Sequence, residues 1–155
     1  NKIIITSTSQ FPGSWIAFNI QKNARATLSY VDMKYGGCCG GGIIENEGKL
    51  LLDNVDILDA ESNGILNSSG TIKANKIKLH HNGAHGLFSQ GGGLVVITDS
   101  EIYSNGEFGI KNLGLPIEAI NNWWGDPSGP FHPILNPMGQ GDEVSDGVNF
   151  IPWKQ

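Results

Sequence analysis

The chain has 155 residues, with 10 lysines and arginines against 15 aspartates and glutamates, for a net charge of −5. The length suits one domain with its own core, whereas the acidic, charge-poor composition argues against nucleic-acid binding and the short apolar runs argue against membrane insertion. Two cysteines cannot build a disulfide framework, and the 22 glycines, about twice the usual share, are the feature to explain.

The first predicted element is a strand at Lys2–Thr6. Neither a signal peptide nor an amphipathic cap precedes it. Because a repeat protein needs capped ends for solubility, we expect the chain to be part of a larger protein, either the C-terminal coils of a longer solenoid or a processed fragment.

A repeat of 22 to 24 residues occupies the middle of the chain. Four sets of inward positions recur with internal spacings of 2, 3 and 2, and only Ser100 among them is polar. The sets are Ala26, Leu28, Val31 and Met33; Leu50, Leu52, Val55 and Ile57; Ile72, Ala74, Ile77 and Leu79; and Val95, Ile97, Ser100 and Ile102. The same spacing of inward positions continues into the next repeat, where it predicts that Ile120 and Trp123 point inward. The charged Glu118 interrupts the apolar pattern there.

Alternation by two is typical of a strand with one buried face, and the step of three predicts a bend. Polar residues are common in the bend pairs, because their side chains can bond the local backbone. These pairs are Ser29-Tyr30, Asp53-Asn54, Asn75-Lys76, Thr98-Asp99 and Asn121-Asn122. A second turn is marked by Gly42-Ile43, Gly64-Ile65, Gly86-Leu87 and Gly109-Ile110, where we expect glycine to supply a positive φ.

Three short strands separated by such tight turns cannot pair within their own repeat. Each must pair in parallel with its equivalent one repeat away, which predicts an all-β parallel β-helix solenoid of about five coils. The coils would occupy residues 1–125, with repeats of 22–25 residues, and an irregular proline-rich cap would occupy residues 126–155. A leucine-rich-repeat horseshoe has a similar repeat length and is the alternative fold, but its leucine-rich consensus is absent.

Two stretches carry a resemblance to a known family. Phe11–Phe18 contains a Pro-Gly-Ser-Trp motif, and the closing stretch includes Asn121–Pro130, Asn136–Asp142 and Val148–Trp153. They resemble segments of the secreted right-handed parallel β-helix proteins of the pectate-lyase-like superfamily, above all its bacterial and archaeal cell-surface repeat proteins. The resemblance implies a right-handed β-helix and an extracellular or cell-surface location. It implies no single activity, because that superfamily contains lyases, hydrolases, binding modules and spacers.

Carboxylates are the first candidates for chemistry, since enzymes on this fold use stacked acidic residues to hold Ca²⁺. The repeat frame predicts two outward columns: Asp32, Asp56, Lys78 and Glu101, and Tyr30, Asn54, Lys76 and Asp99. A lysine interrupts each column, which favours a solvated, charge-balanced face over a Ca²⁺ site or a catalytic pair.

Three of the four histidines lie in Leu79–His85. The frame aligns His80 and His81 with Leu58 and Asp59 in one neighbouring coil, and with Tyr103 and Ser104 in the other. A polar turn explains these histidines without a ligand. Asp56, Asp59 and His81 nevertheless remain the weak candidates for catalysis, and Asp59 is the predicted neighbour of His81 should a metal bind there.

The segment Gly36–Gly42 contains the adjacent Cys38 and Cys39. Its spacing matches neither a phosphate-binding loop nor the cysteine–histidine pattern of a zinc site or nucleophile. We therefore expect a flexible turn longer than its neighbours. Whether the two cysteines are free thiols or an adjacent disulfide stays open.

Binding candidates are few. Trp124 and Tyr103 could stack on a sugar ring, although packing in the cap also accounts for Trp124. Asp142, Glu143 and Asp146 could ligate Ca²⁺, although their spacing is not that of an EF-hand. No other cofactor is expected.

These observations favour a non-enzymatic extracellular β-helix module that serves as a surface, adhesion or carbohydrate-contacting domain of a larger protein. A fragment of a polysaccharide lyase or glycoside hydrolase acting on an acidic polysaccharide is one alternative, and a purely structural spacer or cap is another. The expected partner is a polysaccharide or cell-surface glycan. The oligomeric state stays open.

Overall fold

The computed structural model describes residues 2–155, and these residues contain strands and turns but no α-helix. No helix in this range is therefore long and apolar enough to cross a membrane. The strands, numbered in chain order, are β1 (Ile3–Ile5), β2 (Phe18–Ile20), β3 (Arg25–Lys34), β4 (Gly42–Asn46), β5 (Lys49–Leu58), β6 (Asn63–Asn67), β7 (Thr71–Asn75), β8 (Lys78–His80), β9 (Leu87–Ser89), β10 (Val95–Thr98), β11 (Glu101–Tyr103), β12 (Phe108–Asn112), β13 (Ile117–Glu118), β14 (Glu143–Val144) and β15 (Val148–Asn149).

The strands stack as a parallel β-solenoid of about four turns, which confirms the predicted β-helix and roughly its number of coils. One sheet has the order β1-β3-β5-β7-β10-β13-β15, with β8 joining β5 to β11 beyond the bend. The other sheet has the order β14-β12-β9-β6-β4-β2. Each strand named in these orders pairs in parallel with its equivalent in the next coil, as the repeat requires.

The core consists of the repeat positions. Of the sixteen predicted inward positions, fourteen are buried, while Ala26 and Leu28 in the first set are partly buried. The predicted alignment is confirmed across the coils; Leu50 pairs with Ile72, for example, and Ile72 with Val95. Burial of such side chains is worth about 1.5–3 kcal/mol each and is the main stabilising contribution.

The bends occur at the predicted place and are made by residues with left-handed backbone. φ lies between 53° and 58° at Tyr30, Asn54, Lys76, Asp99 and Asn121, one per coil. A left-handed residue turns the strand direction within one position, so two inward side chains can flank the corner. Asparagine and aspartate tolerate this conformation better than lysine or tyrosine does.

The expected role of the repeated glycines is wrong, because Gly64, Gly86 and Gly109 do not have positive φ. They are required by close backbone stacking instead. A Cβ on Gly64 would lie 2.7 Å from the carbonyl oxygen of Gly86, and one on Gly86 would lie 2.6 Å from that of Gly109. A methyl group has no room between coils at these corners.

The predicted alignment of the second coil is also wrong at one place. Ile44, not Ile43, pairs with Ile65, so Gly42 lies opposite Asn63 rather than Gly64. The turn that follows Tyr35 is consequently three residues longer than the equivalent turns of the next three coils. These extra residues belong to the segment that carries the two cysteines.

In the last coil the predicted inward positions are displaced by one residue. Ile117 pairs with Val95, which places Ala119 and Trp124 inward and Trp123 outward. Trp124 is fully buried, whereas Trp123 is partly exposed. The prediction that Trp123 points inward is therefore wrong, because a shift by one residue exchanges the two faces of a strand.

Buried polar side chains form ladders along the corners between coils. Asn46 donates to Asn67 Oδ1 at 2.9 Å, and Asn67 donates to Ser89 Oγ at 3.3 Å. In a second corner, Asn82 donates to Asn105 Oδ1 at 2.9 Å. Such side chains satisfy buried backbone and side-chain groups that would otherwise cost stability.

The C-terminal segment is largely irregular and covers the last coil. Its strands β14 and β15 extend the two sheets by pairing with β12 and β13. The Trp153 ring packs on Gly129, whose Cβ would lie 2.5 Å from that ring. The cap therefore occupies strand edges that would otherwise be open.

We predict that Gly64→Ala lowers the free energy of unfolding by about 2 kcal/mol or more, because the added methyl group meets a backbone carbonyl. Gly92→Ala is the matched control, since nothing lies within 4 Å of its Cβ position. This control should be neutral or slightly stabilising. Urea unfolding followed by circular dichroism measures both, and equal effects would contradict the close-stacking account.

Candidate functional site

The main candidate site is an outward face of the first sheet, formed where equivalent strands stack beyond the bend. Parallel pairing aligns Asp56, Lys78 and Glu101 in one column, and His80 and Tyr103 in the next. We call the following set the histidine face: Asp56, Lys78, His80, His81, Glu101, Tyr103 and Trp123.

A hydrogen-bonded chain runs along this face from a carboxylate to an exposed imidazole. His80 Nε2 lies 2.9 Å from Asp56 Oδ1, and His80 Nδ1 lies 2.7 Å from His81 Nδ1. The Asp56 carboxylate can only accept, so His80 carries its proton on Nε2 when neutral. Its Nδ1 then accepts from His81 Nδ1, which leaves the lone pair of His81 on Nε2.

Tyr103 packs flat against His80, with ring centroids 4.8 Å apart and planes inclined by 3°. The separation equals the spacing of stacked coils, so the rings continue the sheet geometry. Gly125 follows Tyr103 in the column, and a Cβ there would lie 3.1 Å from Tyr103 Cβ. Burial raises the pKa of the Tyr103 hydroxyl above its ordinary value, so the ring stays neutral.

The lysine on the histidine face is paired with a carboxylate of the next coil. Lys78 Nζ lies 2.8 Å from Glu101 Oε2. This hydrogen bond is the main cause that raises the pKa of Lys78 above its ordinary value. This is the predicted outward column in which a lysine interrupts the carboxylates. Lys78 lies between Asp56 and Glu101, which would otherwise repel each other.

Trp123 follows Glu101 in the column of Asp56, Lys78 and Glu101, on the same outward side of the sheet as Tyr103. Its backbone pairs with that of Glu101 in an isolated parallel β-bridge, and its side chain borders an open depression together with Lys154 and Gln155. Trp124, by contrast, has no exposed surface and cannot stack on a ligand. Of the two residues predicted to contact a sugar, Tyr103 lies on the histidine face and Trp124 does not. The tryptophan that lies on this face is Trp123.

The other catalytic candidate, Asp59, lies beside His81 in the register, as predicted. Both residues have left-handed backbone with φ of 54°. Within residues 2–155, no hydrogen bond or ion pair joins their side chains. Asp59 thus lies next to the hydrogen-bonded series of Asp56, His80 and His81 but makes no hydrogen bond in it.

The three Ca²⁺ candidates do not come together as a ligand set in the described part of the chain. Asp142 accepts hydrogen bonds from the backbone N–H groups of Ser104 and Asn105 and from the Asn105 amide. Burial raises the pKa of Asp142, and these donors oppose the rise. Asp146 is almost fully exposed, 3.3 Å from His132 Nε2.

Backbone hydrogen bonds join the cysteine-rich turn to both neighbouring coils. Gly37 N–H donates to Ile16 O, and Glu61 N–H donates to Gly36 O. Both cysteines are free thiols, and Glu61 Oε2 accepts from Cys39 N–H at 2.8 Å. A hydrogen bond with Cys39 is the main cause that raises the pKa of Cys38 to about 11.

Comparison with known proteins adds no assignment. No family model, no curated protein and no solved structure matches this chain. Of the resemblance to pectate-lyase-like proteins, the structure shows the parallel solenoid, and function is argued from the site itself.

Sequence reasoning missed three residues of interest. The repeat predicts that His80 aligns with Tyr103 in a polar turn, but only the structure shows its hydrogen bonds to Asp56 and His81. Trp123 faces outward because the last repeat is one residue shorter than the spacing of the preceding repeat predicts. Glu61 lies 22 residues from Cys39, and only the stacking of coils reveals their proximity.

We predict that Asp142→Ala lowers the free energy of unfolding by about 2 kcal/mol, because it leaves partly buried donors without an acceptor. Asp146→Ala should change it by less than about 0.5 kcal/mol, as expected for an exposed side chain. Chemical unfolding with and without Ca²⁺ measures both. A Ca²⁺-dependent stability that either variant abolishes would contradict a purely structural role for Asp142.

Proposed function

We propose that the protein is a non-enzymatic, extracellular carbohydrate-contacting module and that the histidine face is its binding surface. The observation that carries the proposal is the pair of partly exposed rings on this face: Tyr103, stacked on the buried His80 ring, and Trp123, which follows Glu101 in the column of Asp56, Lys78 and Glu101. Aromatic rings contact the apolar faces of sugars, and charged side chains bind hydroxyl groups through hydrogen bonds.

The scaffold supports this role because stacked strands hold side chains at fixed spacing. A ligand would meet rings and polar groups whose positions are set by backbone pairing, so little ordering is needed on binding. Trp123 also borders the depression that includes Lys154, which offers a further donor next to the rings.

Charge favours a neutral glycan over an acidic one. The chain carries a net charge of −5, and Lys78 on the histidine face is already paired with Glu101. An acidic polymer would meet overall repulsion without a free cation in the middle of this face.

We predict that Trp123→Ala and Tyr103→Ala each weaken binding to a neutral polysaccharide by about tenfold or more, as for the loss of a central aromatic contact. A glycan array identifies the ligand, and isothermal titration calorimetry measures the dissociation constants. Tyr30→Ala is the control, because Tyr30 is an exposed aromatic residue at a bend.

The control should bind as the unmodified protein does. An array with no signal above background would overturn the proposal, and so would equal losses in all three variants. Circular dichroism on each variant establishes that the solenoid remains folded.

Catalysis at the same face is a second candidate, favoured by the chain from Asp56 through His80 to His81. This series of hydrogen bonds leaves Nε2 of the exposed His81 unprotonated, as a general base requires. A polysaccharide lyase uses such a base to remove a proton next to a carboxylate, after which the glycosidic oxygen leaves.

We predict that, if this candidate holds, turnover of a uronate polymer by the full chain falls at least a hundredfold in His81→Ala. Asp59→Asn is the control, since Asp59 lies outside the hydrogen-bonded chain. Appearance of unsaturated product measures turnover. Glycan binding without turnover supports the non-enzymatic proposal instead.

A further inference from the structure

The long turn of the second coil and the third coil together bring three metal-binding groups to one place. The thiols of Cys38 and Cys39 and the carboxylate of Glu61 each offer an atom, and these atoms all lie within 4.8 Å of one another. Among residues 2–155, this is the one such group that contains three potential ligands.

The surroundings hold this arrangement in place. Glu61 Oε2 accepts from Cys39 N–H, and Glu61 N–H donates to Gly36 O. A Cβ on Gly13 would lie 2.9 Å from Glu61 Oε2, so the glycine leaves room for the carboxylate. The Gly41 N–H donates to Cys38 O at 3.1 Å and closes the turn.

A second carboxylate lies nearby. Glu45 approaches Gly41 so closely that a Cβ on that glycine would overlap its Oε1. The two thiols and the Glu61 carboxylate thus lie together on the outside of the solenoid, and Glu45 lies beside the same turn. The three additional residues of the turn make this possible, because the equivalent turns of the next three coils are too short to project.

We propose that Cys38, Cys39 and Glu61 form a binding site for a thiophilic divalent cation, with Zn²⁺ as the best match. Zn²⁺ accepts thiolate sulfur at about 2.3 Å and carboxylate oxygen at about 2.0–2.2 Å in tetrahedral geometry. Ligand atoms around such an ion are about 3.5–4 Å apart, which the observed group meets with small side-chain movements. A water molecule would complete the fourth position.

The thiols select against Ca²⁺ and Mg²⁺, because these hard ions take oxygen ligands. The carboxylate comes from the next coil, so the ion would join two coils. A Cys-Cys pair alone could still hold a metal in the unfolded chain, whereas the three-residue site exists only in the folded one. Stabilisation by metal therefore reports the complete site.

The test is titration of the full chain with Co²⁺ and then Zn²⁺, with the thiols kept reduced by a phosphine. We expect one equivalent of Co²⁺ to produce the visible absorption of tetrahedral thiolate coordination and Zn²⁺ to displace it. Cys38→Ser and Cys39→Ser should abolish the absorption. Glu61→Gln should weaken binding about tenfold or more and remove the rise in melting temperature caused by Zn²⁺.

Glu107→Gln is the matched control, since Glu107 is an exposed carboxylate in a turn two coils away. It should bind metal as the unmodified protein does. Absence of binding at one equivalent, binding that survives Cys38→Ser, or equal behaviour of Glu61→Gln and Glu107→Gln would overturn the proposal. If a serine variant fails to fold, alkylating the thiols of the folded protein replaces it, with loss of binding as the expected result.

Discussion

Stacking of each coil on the next, at the roughly 4.8 Å spacing of a parallel sheet, is the constraint on which the rest of the structure depends. It brings backbone so close at the corners that Gly64 and Gly86 have no space for a Cβ. It also places Asn46 under Asn67, within hydrogen-bond distance, so polar groups inside the corners are satisfied by their own equivalents. One distance thus explains apolar columns, asparagine ladders and glycine corners together.

The same stacking creates the candidate surfaces, because it converts a sequence separation of 22 to 24 residues into direct contact. His80 meets Asp56 and Tyr103 in this way, and Cys39 meets Glu61. No local motif marks either group. Each candidate site is therefore formed by residues of neighbouring coils.

The apolar period predicts a repeat fold, since Leu50, Ile72 and Val95 recur every 22 or 23 residues, and the absence of a leucine-rich consensus favours the parallel β-helix. Two places escaped prediction for the same physical reason. A turn of irregular length before Ile44, and a shortened last repeat before Trp124, each shift the frame by one residue. Because strand faces alternate, such a shift reverses every later assignment until the next correction. Glycine at the corners was recognised, but close packing rather than backbone angle requires it.

The elongated corner of the second coil shows how this architecture can acquire new chemistry. Its additional residues leave Ile43 and Ile44 fully buried and Ile44 paired with Ile65. The extra length is therefore accommodated at the exposed tip of the turn, Cys39 and Gly40, while Gly36 and Gly37 stay buried. An evolving or engineered chain could vary this tip while the buried part of the corner stays unchanged, which makes the tip a suitable position for grafting a recognition loop.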